Sequence, residues 1–560
     1  MKKRDQHQQL KLRQNKLNRV HVTMVVATIQ VLVSVLFVDF VIRHILWLFL
    51  LTYLCSFYLV LQIIRRDMAA AYQIGWILLI LLLPIAGTVA YLLMETPGVS
   101  EKVRIKLNEQ RKKSCYVLAK YMGNKAAHVD GLSRDPRLNT LFTYLHHHTG
   151  FIGYTDTQAK YFSLGQHMYY NMLVDMAHAE TYIFVQYFLV SDGAMWRGIE
   201  AVLVEKAAMG VDVRVMVDDF ASAPLFNQRY MSELRAKGIK VATFSKMRPF
   251  FSKFENTRDH RKILVVDGNV GYNGGINLAD AYVNLGNEDK LWKDVGVRLQ
   301  GSAVISFMLM FVETWNTFCL KQEKITDHAH YMTTSPCCEQ VSELLQPAQI
   351  QQTKDIHHMR AAMKHQLYKG QETPNPLGAV FPFSDNPLNS QRISENVYIE
   401  ILNQAREYVY IYTPFLIFSE HMRYALQMAK KRGVDVRLIL PGIHDWTATG
   451  HRLVQNMNRS YYTHLQKVGI KVYEYPNTFV HAKCFVSDDK LAVVGTINLD
   501  YRSLYLHFEC GVIYYKNQVV SDVKTDWLDA MAQSMEVFGD NLTAPARAVN
   551  LLLTPLVQLM

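Results

Sequence analysis

The sequence predicts an α/β protein built from two lobes related by a pseudo-twofold axis. Each lobe is a mixed sheet flanked by helices, and N-terminal transmembrane helices precede both. Three observations predict this architecture. A short motif occurs twice with the same internal spacing, the order of strands and helices around it also occurs twice, and long apolar runs precede both copies. The 560 residues leave room for a membrane segment and two domains.

Three apolar runs lie near the N-terminus, at residues 21–42, 45–64 and 69–93. Each run is long enough to cross a bilayer as a helix. Pro84 and Gly87 interrupt the third run, which is therefore either a crossing or a re-entrant segment. We expect residues 1–95 to form a membrane-anchoring segment with two to three transmembrane helices.

Basic residues flank these runs on both sides. Residues 1–20 contain seven Lys and Arg against one Asp, and residues 96–125 contain eight against two acids. Such flanks are typical of the cytoplasmic side of a membrane. We expect residues 96–150 to be a basic linker and the following domain to face the cytoplasm. The net charge of +11 suits nucleic acid, an anionic membrane or an anionic substrate.

The strand–helix–strand order from residue 151 recurs from residue 393. Strands are predicted at 181–189, 210–219 and 238–242, with a helix at 196–209. The second set has strands at 407–416, 433–440 and 469–472, with a helix at 422–431. Gly-Val-Asp-Val-Arg starts at 210 and again at 433, and Gly-Ile-Lys-Val starts at 238 and again at 469. This pattern indicates a duplicated lobe, with boundaries at 151–321 and 393–560.

Between the lobes, residues 322–392 are polar and poor in strand pattern. We expect an inter-lobe insertion, either a lid over the site or a plain connector.

The repeated motif places a histidine, a lysine two residues later and an aspartate five residues after that. A Gly-containing turn and an asparagine follow in both copies. The six motif residues are His260, Lys262, Asp267, His481, Lys483 and Asp488. Strand-forming residues follow each lysine. Because alternate residues of a strand share a face, each copy presents an imidazole and an ammonium group on one surface.

Two imidazoles that face one phosphorus atom suggest double displacement. One neutral histidine attacks phosphorus, and the other donates a proton to the leaving alcohol and then accepts one from the incoming alcohol. The lysines, Asn277 and Asn498 stabilise charge on the phosphate oxygens. Gly275 and Thr496, in the turns before the asparagines, are candidates to offer backbone N–H groups to the anion. This chemistry requires no metal and no other cofactor.

Each imidazole also needs a carboxylate on its second nitrogen to fix its tautomer. Glu509 is the candidate for one histidine. Asp294 or Glu288 is the candidate for the other. In each motif the aspartate itself is better suited to a structural position at the strand end.

The motif pair resembles the HxKxxxxD pair of the phospholipase D superfamily. Arg65-Arg66 ahead of the third apolar run is similar to the N-terminal membrane segment of bacterial cardiolipin synthases. Phe184-Val-Gln-Tyr, Trp292-Lys-Asp294 and Asn498-Leu-Asp-Tyr-Arg-Ser503 are also similar to that family. The resemblance extends from about residue 45 to the end. The chain departs from the family pattern in the apolar run at 21–42, in the long segment 322–392, and in Lys293, where arginine is usual.

The resemblance implies two phospholipase D-like lobes and one reaction, in which two phosphatidylglycerols give cardiolipin and glycerol through a phosphohistidine. It implies the six motif residues as the active site, and by analogy it favours His260 as the nucleophile. The partners would be phosphatidylglycerol and cardiolipin in an anionic membrane, with no nucleic acid. The protein would be a multi-pass protein of the bacterial cell membrane.

Three alternatives stay open from the sequence. The first is a phospholipase D-type hydrolase, or a transphosphatidylase with another alcohol acceptor. The second is a nuclease of the same superfamily, against which the membrane segment argues. The third is a membrane scaffold without activity, against which two intact motifs argue.

Overall fold

The structure is a computed structural model that describes residues 24–38, 46–66, 70–94, 98–122, 136–245, 257–286, 291–327, 331, 378–388, 391–417, 419–442 and 449–557. The chain divides into two compact units. Among the described residues, 24–94 with the gaps given above and 551–557 belong to the first unit, and the others belong to the second.

The described part of the first unit contains four N-terminal helices. They are α1 (24–38), α2 (Leu46–Arg65), α3 (Ala70–Leu82) and α4 (Pro84–Met94). Within the ranges given above, none of the helices is both long enough and apolar enough to span a bilayer. The third apolar run is broken at Pro84, as expected, because proline lacks the amide hydrogen that would continue α3.

Helices α2, α3 and α4 pack closely. A Cβ atom on Gly87 would lie 2.6 Å from the carbonyl oxygen of Leu79, so only glycine allows this approach. The hydroxyl of Ser56 donates to the carbonyl of Pro84 at 3.2 Å. Trp76 contacts Tyr91 edge to face, with ring centroids 5.2 Å apart. Large apolar side chains remain exposed along α2, among them Leu50, Leu51, Leu54, Phe57, Leu61 and Ile64.

The second unit contains two large sheets. The first sheet has seven strands. In spatial order they are β1 (Gln158–Phe162), β9 (Gly296–Gln300), β7 (Val270–Gly274), β6 (Lys262–Val266), β2 (Tyr182–Tyr187), β3 (Asp212–Asp218) and β4 (Lys240–Phe244). Strands β2, β3 and β4 are parallel, and the remaining neighbours are antiparallel.

The second sheet repeats this arrangement. In spatial order its main strands are β10 (Ala379–Asp385), β19 (His507–Tyr515), β17 (Leu491–Gly495), β16 (Cys484–Ser487), β11 (Tyr408–Tyr412), β13 (Asp435–Gly442), β14 (Lys471–Pro476) and β20 (Met535–Glu536). The first seven match the first sheet position by position and direction by direction. The predicted duplication of a mixed α/β lobe is therefore confirmed.

Short strands join the two lobes. β5 (Arg258–Asp259), just before His260, pairs in parallel with β19 of the second lobe. β15 (Thr478–Val480), just before His481, pairs in parallel with β8 (Leu291–Lys293) of the first lobe. Within the second lobe, β12 (Leu416–Ile417) pairs with β18 (Leu499–Asp500). The chain leading into each motif is thus hydrogen-bonded to the opposite lobe.

Helices cover the sheets and fill the space between them. They are α5 (Gly98–Met122), α6 (Pro136–Thr149), α7 (Gly165–Ala177), α8 (Ala194–Ala208), α9 (Gln228–Ala236), α10 (Val304–Phe318), α11 (Ile393–Gln404), α12 (Glu420–Lys431), α13 (Thr449–Gln466), α14 (Tyr501–Tyr505) and α15 (Gln518–Ala532). The last described helix of the chain is α16 (Ala544–Val557). Helix α10 is buried on nearly every side, and its aromatic residues share one apolar core with strands of both lobes.

The structure differs from the expected linker at 96–150. Its described residues form α5 and α6, and Leu107, Leu118 and Leu145 are buried. Phe142 stacks on Phe381 of the second lobe, with ring centroids 5.2 Å apart. The high content of lysine and arginine makes this region look like a solvated linker, although apolar residues at helical spacing lie among the charged ones.

The range expected to be an insertion also holds a strand of the second lobe. This strand is β10, and Pro382 is tolerated in it because β10 lies at the sheet edge. Residues 332–377 lie outside the described residues.

Candidate active site

The two motif histidines lie in one buried site. His260 is 6 % exposed and His481 is 7 % exposed. The pKa of His260 is lowered well below its usual value, first by burial and then by the charges of both motif lysines and of His481. Burial, Lys483 and Lys262 likewise lower the pKa of His481. The backbone brings the two motifs to the same lobe boundary: the amide of His260 donates to the carbonyl of Phe508 at 2.9 Å, and that of His481 donates to the carbonyl of Lys293 at 2.7 Å.

Glu509 of the second lobe holds His260 of the first. The Nδ1 atom of His260 lies 2.9 Å from Oε1 and 3.1 Å from Oε2 of Glu509. The hydroxyls of Thr496 and Ser503 donate to the same carboxylate. With its acceptors engaged in this way, Glu509 fixes the ring of His260 and leaves Nε2 as the reactive nitrogen.

Asp294 of the first lobe holds His481 of the second. The Nδ1 atom of His481 lies 2.6 Å from Oδ2 of Asp294, and the amide of Val295 donates to Oδ1 at 2.8 Å. A Cβ atom on Gly275 would lie 2.1 Å from Oδ1. Glycine at 275 therefore makes room for this carboxylate. Glu288, the other candidate for this position, lies outside the described residues.

The two lysines are buried beside the imidazoles. Lys262 donates to the carbonyl of His260 at 2.6 Å, and Lys483 donates to the carbonyl of His481. Burial lowers the pKa of Lys262 to about 8 and that of Lys483 to about 7, although Glu509 and Asp294 oppose the shift.

Lys483 also lies 2.8 Å from Nδ1 of His481, the atom that contacts Asp294. The carboxylate can only accept, so it requires a proton on Nδ1, whereas the ammonium group can only donate, so it requires Nδ1 without a proton. The Asp294 contact is the shorter, so we assign Nδ1–H as a donor to Asp294 and the carbonyl of His481 as the partner of Lys483.

The structure does not bring the motif aspartates to the imidazoles. The carboxylate of Asp267 accepts the amides of Glu180, Thr181 and Tyr182 at 2.8 Å each. Asp267 follows the last residue of β6, whereas Lys262 is the first residue of that strand. Five residues of extended chain therefore separate the two positions by about 16 Å. Asp488 makes the same three contacts in the second lobe, with the amides of residues 406–408. Grouping these aspartates with the catalytic residues is therefore corrected: Asp267 anchors the start of β2, and Asp488 anchors the start of β11.

The expected backbone anion site is also corrected. The amide of Gly275 donates to the carbonyl of Val295 at 3.0 Å, and that of Thr496 donates to the carbonyl of Cys510 at 2.9 Å. Both amides are used within the sheets, so neither is directed to a phosphate. Gly275 instead accommodates Asp294, and the Thr496 hydroxyl supports Glu509.

Asn277 and Asn498 are both buried, but they are held differently. Asn277 donates to the hydroxyl of Tyr282 at 2.8 Å and accepts the amide of Leu189 at 3.2 Å. Asn498 donates to Asp500 at 2.9 Å, whereas its Oδ1 atom has no hydrogen-bond partner within the described parts of the chain.

Sequence reasoning missed the residues that flank the imidazoles. Three aromatic rings surround His481, namely those of Tyr282, Trp292 and Phe479, with centroids 5.1, 5.7 and 5.8 Å from its ring. His260 has Phe188 at 5.0 Å and a third histidine, His507, at 5.4 Å. The position of His507, two residues before Glu509, is the signal that would have found it.

One cluster has the composition of a metal site. Ligand atoms of His260, His507 and Glu509 lie within 4.8 Å of one another. A metal would have to displace the hydroxyls of Thr496 and Ser503 or the imidazole of His260 from Glu509, because these groups already use both carboxylate oxygens. The donor set therefore fits a hydrogen-bonded carboxylate better than a metal ligand.

Comparison with known proteins gives matches to both parts of the chain. Residues 172–295 and 398–530 match the family described as "Cardiolipin synthase, PLD-like domain". Residues 54–94 match the family described as "Phospholipase_D-nuclease N-terminal".

Similar proteins cover most of the chain. An uncharacterized protein of Streptococcus mutans serotype c is 38% identical over 480 residues, which are 85% of this chain and 94% of that protein. A cardiolipin synthase of Geobacillus kaustophilus is 28% identical, over 85% of this chain and 86% of its own length. The crystal structure of phosphatidylserine synthase from Haemophilus influenzae Rd KW20 superposes with a TM-score of 0.51, at 15% identity, over 71% of this chain and 93% of that one. At this identity the likeness concerns the fold.

Proposed function

The chain belongs to the phospholipase D-like cardiolipin synthase family, and we propose that it transfers a phosphatidyl group from one phosphatidylglycerol to another. The products are cardiolipin and glycerol. The observation that carries this proposal is the pair of imidazoles in one buried site, each held at Nδ1 by a carboxylate of the opposite lobe.

The proposed reaction has two steps. In the first, Nε2 of one histidine attacks the donor phosphorus, the bond from phosphorus to the glycerol oxygen breaks, and the second imidazolium gives its proton to glycerol. In the second, a primary hydroxyl of the acceptor phosphatidylglycerol loses its proton to that imidazole and attacks phosphorus. The P–N bond then breaks. One phosphodiester replaces another, so no nucleotide is needed.

The protonation of the site suits this sequence of steps. Burial and the neighbouring lysines lower the pKa of both histidines, so the attacking imidazole is neutral at neutral pH. The substrate phosphate partly offsets the lysine charges when it binds, which favours the imidazolium that must act as the acid. Lys262 and Lys483 are the cations that would stabilise charge on the non-bridging oxygens.

We further propose that the protein is a multi-pass membrane protein whose catalytic unit faces the cytoplasm. The apolar runs at 21–42, 45–64 and 69–93 and the basic residues on both sides of them support this proposal. The exposed apolar side chains along α2 support it as well. A site close to the bilayer would favour a lipid alcohol over water as the acceptor.

A hydrolase of the same fold is the alternative function. It would release phosphatidic acid, because water would take the place of the second lipid. The motifs are the same for both reactions, so the products decide between them.

The test is a product assay with the full-length protein in mixed micelles of detergent and phosphatidylglycerol labelled in its acyl chains. We expect cardiolipin as the labelled product and glycerol release in equal amount. His260→Ala and His481→Ala should each abolish turnover, while His464→Ala, an exposed histidine on α13, serves as the matched control. Phosphatidic acid as the main product, or full turnover in either motif variant, would refute the proposal.

A further inference from the structure

The two halves of the site are not chemically equivalent. Residues of the two lobes are equivalent here when they lie the same number of positions along the sequence from the motif histidine, the asparagine or the supporting carboxylate of their own half. Arg258 stands where the second lobe has Phe479, Arg502 stands where the first lobe has Ala281, and His507 stands where the first lobe has Trp292. The half around His260 is therefore basic, and the half around His481 is aromatic.

The basic groups are adjacent to one another. The Nε2 atom of His507 accepts a hydrogen bond from Nε of Arg502 at 3.4 Å, and the ring of His507 lies 5.4 Å from that of His260. Burial lowers the pKa of Arg502, the charge of Asp500 opposes this shift, and the charge of Arg258 adds to it. Arg258 lies over the ring of Phe220 at 5.1 Å. Arg258 is the register partner of His507 across β5 and β19, so two arginines lie on the side of His260 where His507 stands, and His507 itself is neutral because burial lowers its pKa to about 3.

The nearby carboxylates are turned to other groups. Asp500 accepts the amide of Ser503 at 2.8 Å and the side-chain amide of Asn498 at 2.9 Å. Asp218 accepts the amides of residues 220, 221 and 259. In the described part of the chain, the hydrogen bond of Arg502 goes to His507, and Asp500 and Asp218 act on Arg502 through their charge.

The proposed reaction requires a second anion site. The acceptor phosphatidylglycerol carries its own phosphate, separated from the attacking hydroxyl by the three carbons of glycerol. When the hydroxyl reaches the phosphorus between the imidazoles, this second phosphate lies about one glycerol length away. Arg502 lies 3.4 Å from His507, whose ring lies 5.4 Å from that of His260, so its guanidinium is one side chain removed from the imidazole pair.

We propose that Arg502, together with His507 and Arg258, binds the phosphate of the acceptor phosphatidylglycerol and so selects a phosphorylated alcohol over water or glycerol. This inference rests on the proposed function and names a part of the site that recognises the second lipid. The guanidinium donates to the phosphate oxygens, and His507 holds the guanidinium.

The test compares two acceptors for the same donor. In the first assay the full-length enzyme forms cardiolipin from phosphatidylglycerol in mixed micelles. In the second it exchanges labelled free glycerol into phosphatidylglycerol, a reaction whose acceptor has no phosphate. For Arg502→Gln we expect the ratio of cardiolipin formation to glycerol exchange to fall about tenfold, the typical effect of losing one charge-assisted hydrogen bond. His507→Gln should lower the ratio less.

Two further variants sharpen the test. Arg502→Lys keeps a positive charge and should restore part of the ratio. Arg229→Gln, which removes an exposed arginine on α9, is the matched control. If Arg502→Gln lowers both reactions in the same proportion, or lowers neither, the second-phosphate site is refuted. If the wild-type enzyme exchanges glycerol but forms no cardiolipin, the proposed function fails instead.

Discussion

Nδ1 of His260, in the first lobe, lies 2.9 Å from the carboxylate of Glu509, in the second lobe. His481 and Asp294 make the reverse connection at 2.6 Å. Each imidazole is therefore supplied by one lobe and oriented by the other. The strand pairs β5–β19 and β15–β8 hold both connections in place, because the amide of each histidine also donates to a carbonyl of the opposite lobe.

Removing the charge of a supporting carboxylate should disable its histidine. For Glu509→Gln we expect kcat to fall at least about 100-fold, because an amide can hold the wrong tautomer of His260. Asp294→Asn should act in the same way on His481. Steady-state assays, with thermal unfolding as the control for folding, check this. Activity within a few fold of wild type in either variant would show that the carboxylates do not orient the imidazoles.

A methyl group at Gly275 should act through Asp294. In Gly275→Ala the new Cβ would lie 2.1 Å from Oδ1 of Asp294, so the carboxylate must move away from His481. We expect a loss of kcat comparable to that of Asp294→Asn. The double variant Gly275→Ala/Asp294→Asn should lose little more than either single one, because both act on the same contact. Fully additive losses would contradict this coupling.

The motif aspartates should affect stability rather than chemistry. Asp267→Ala leaves one buried and two partly buried amides without their acceptor, which should cost about 1–3 kcal/mol of unfolding free energy. We expect a lower midpoint of thermal unfolding and unchanged kcat per folded molecule. A kcat that falls by orders of magnitude at unchanged stability would return Asp267 to the catalytic residues.

The pH profile should report the ammonium group of Lys262. Burial lowers its pKa from 10.5 to about 8, so the side chain is charged below pH 8 and neutral above it. Since a neutral amine no longer attracts a phosphate, kcat/KM for phosphatidylglycerol should fall as pH rises through about 7, where Lys483 loses its proton, and again through about 8, where Lys262 does. In Lys262→Arg this cation persists to high pH, so the fall near pH 8 should disappear while the fall near pH 7 that Lys483 causes remains. A wild-type profile that is flat up to pH 10 would contradict the assignment.

Metal removal should leave turnover unchanged. The oxygens of Glu509 already accept hydrogen bonds from Thr496, Ser503 and His260. The carboxylate of Glu509 is therefore not available to bind a metal ion together with His260 and His507. We expect full activity after dialysis against EDTA. Loss of activity that a divalent cation restores would identify His260, His507 and Glu509 as metal ligands instead.

The sequence was sufficient to predict the duplicated lobe and the convergence of the two histidines. Strand order followed from local patterns such as Gly-Val-Asp-Val-Arg, and the spacing of His260 and Lys262 matched that of His481 and Lys483. Glu509 and Asp294 were also predicted as carboxylate partners. Which histidine each one holds depends on contacts between residues about 190 to 250 positions apart, and no local pattern encodes those.

Other features depend on packing that a linear pattern conceals. The charged residues of 98–122 hid a helix whose leucines enter the core. The turn at Gly275 looked like an anion site, but the sheet uses its amide. His507 stands two residues before the candidate carboxylate Glu509, but its place beside His260 follows from the pairing of β19 with β5, which the sequence does not show.

The exchange of carboxylates between the lobes constrains how this chain can evolve. A single ancestral lobe with the same pairing would have needed a second copy of itself to complete one reaction centre. After fusion the two copies became free to differ, and the basic and aromatic surroundings of His260 and His481 are such a divergence. Each lobe still depends on a carboxylate of the other lobe. A substitution of Glu509 or Asp294 in one lobe would therefore impair the histidine of the opposite lobe.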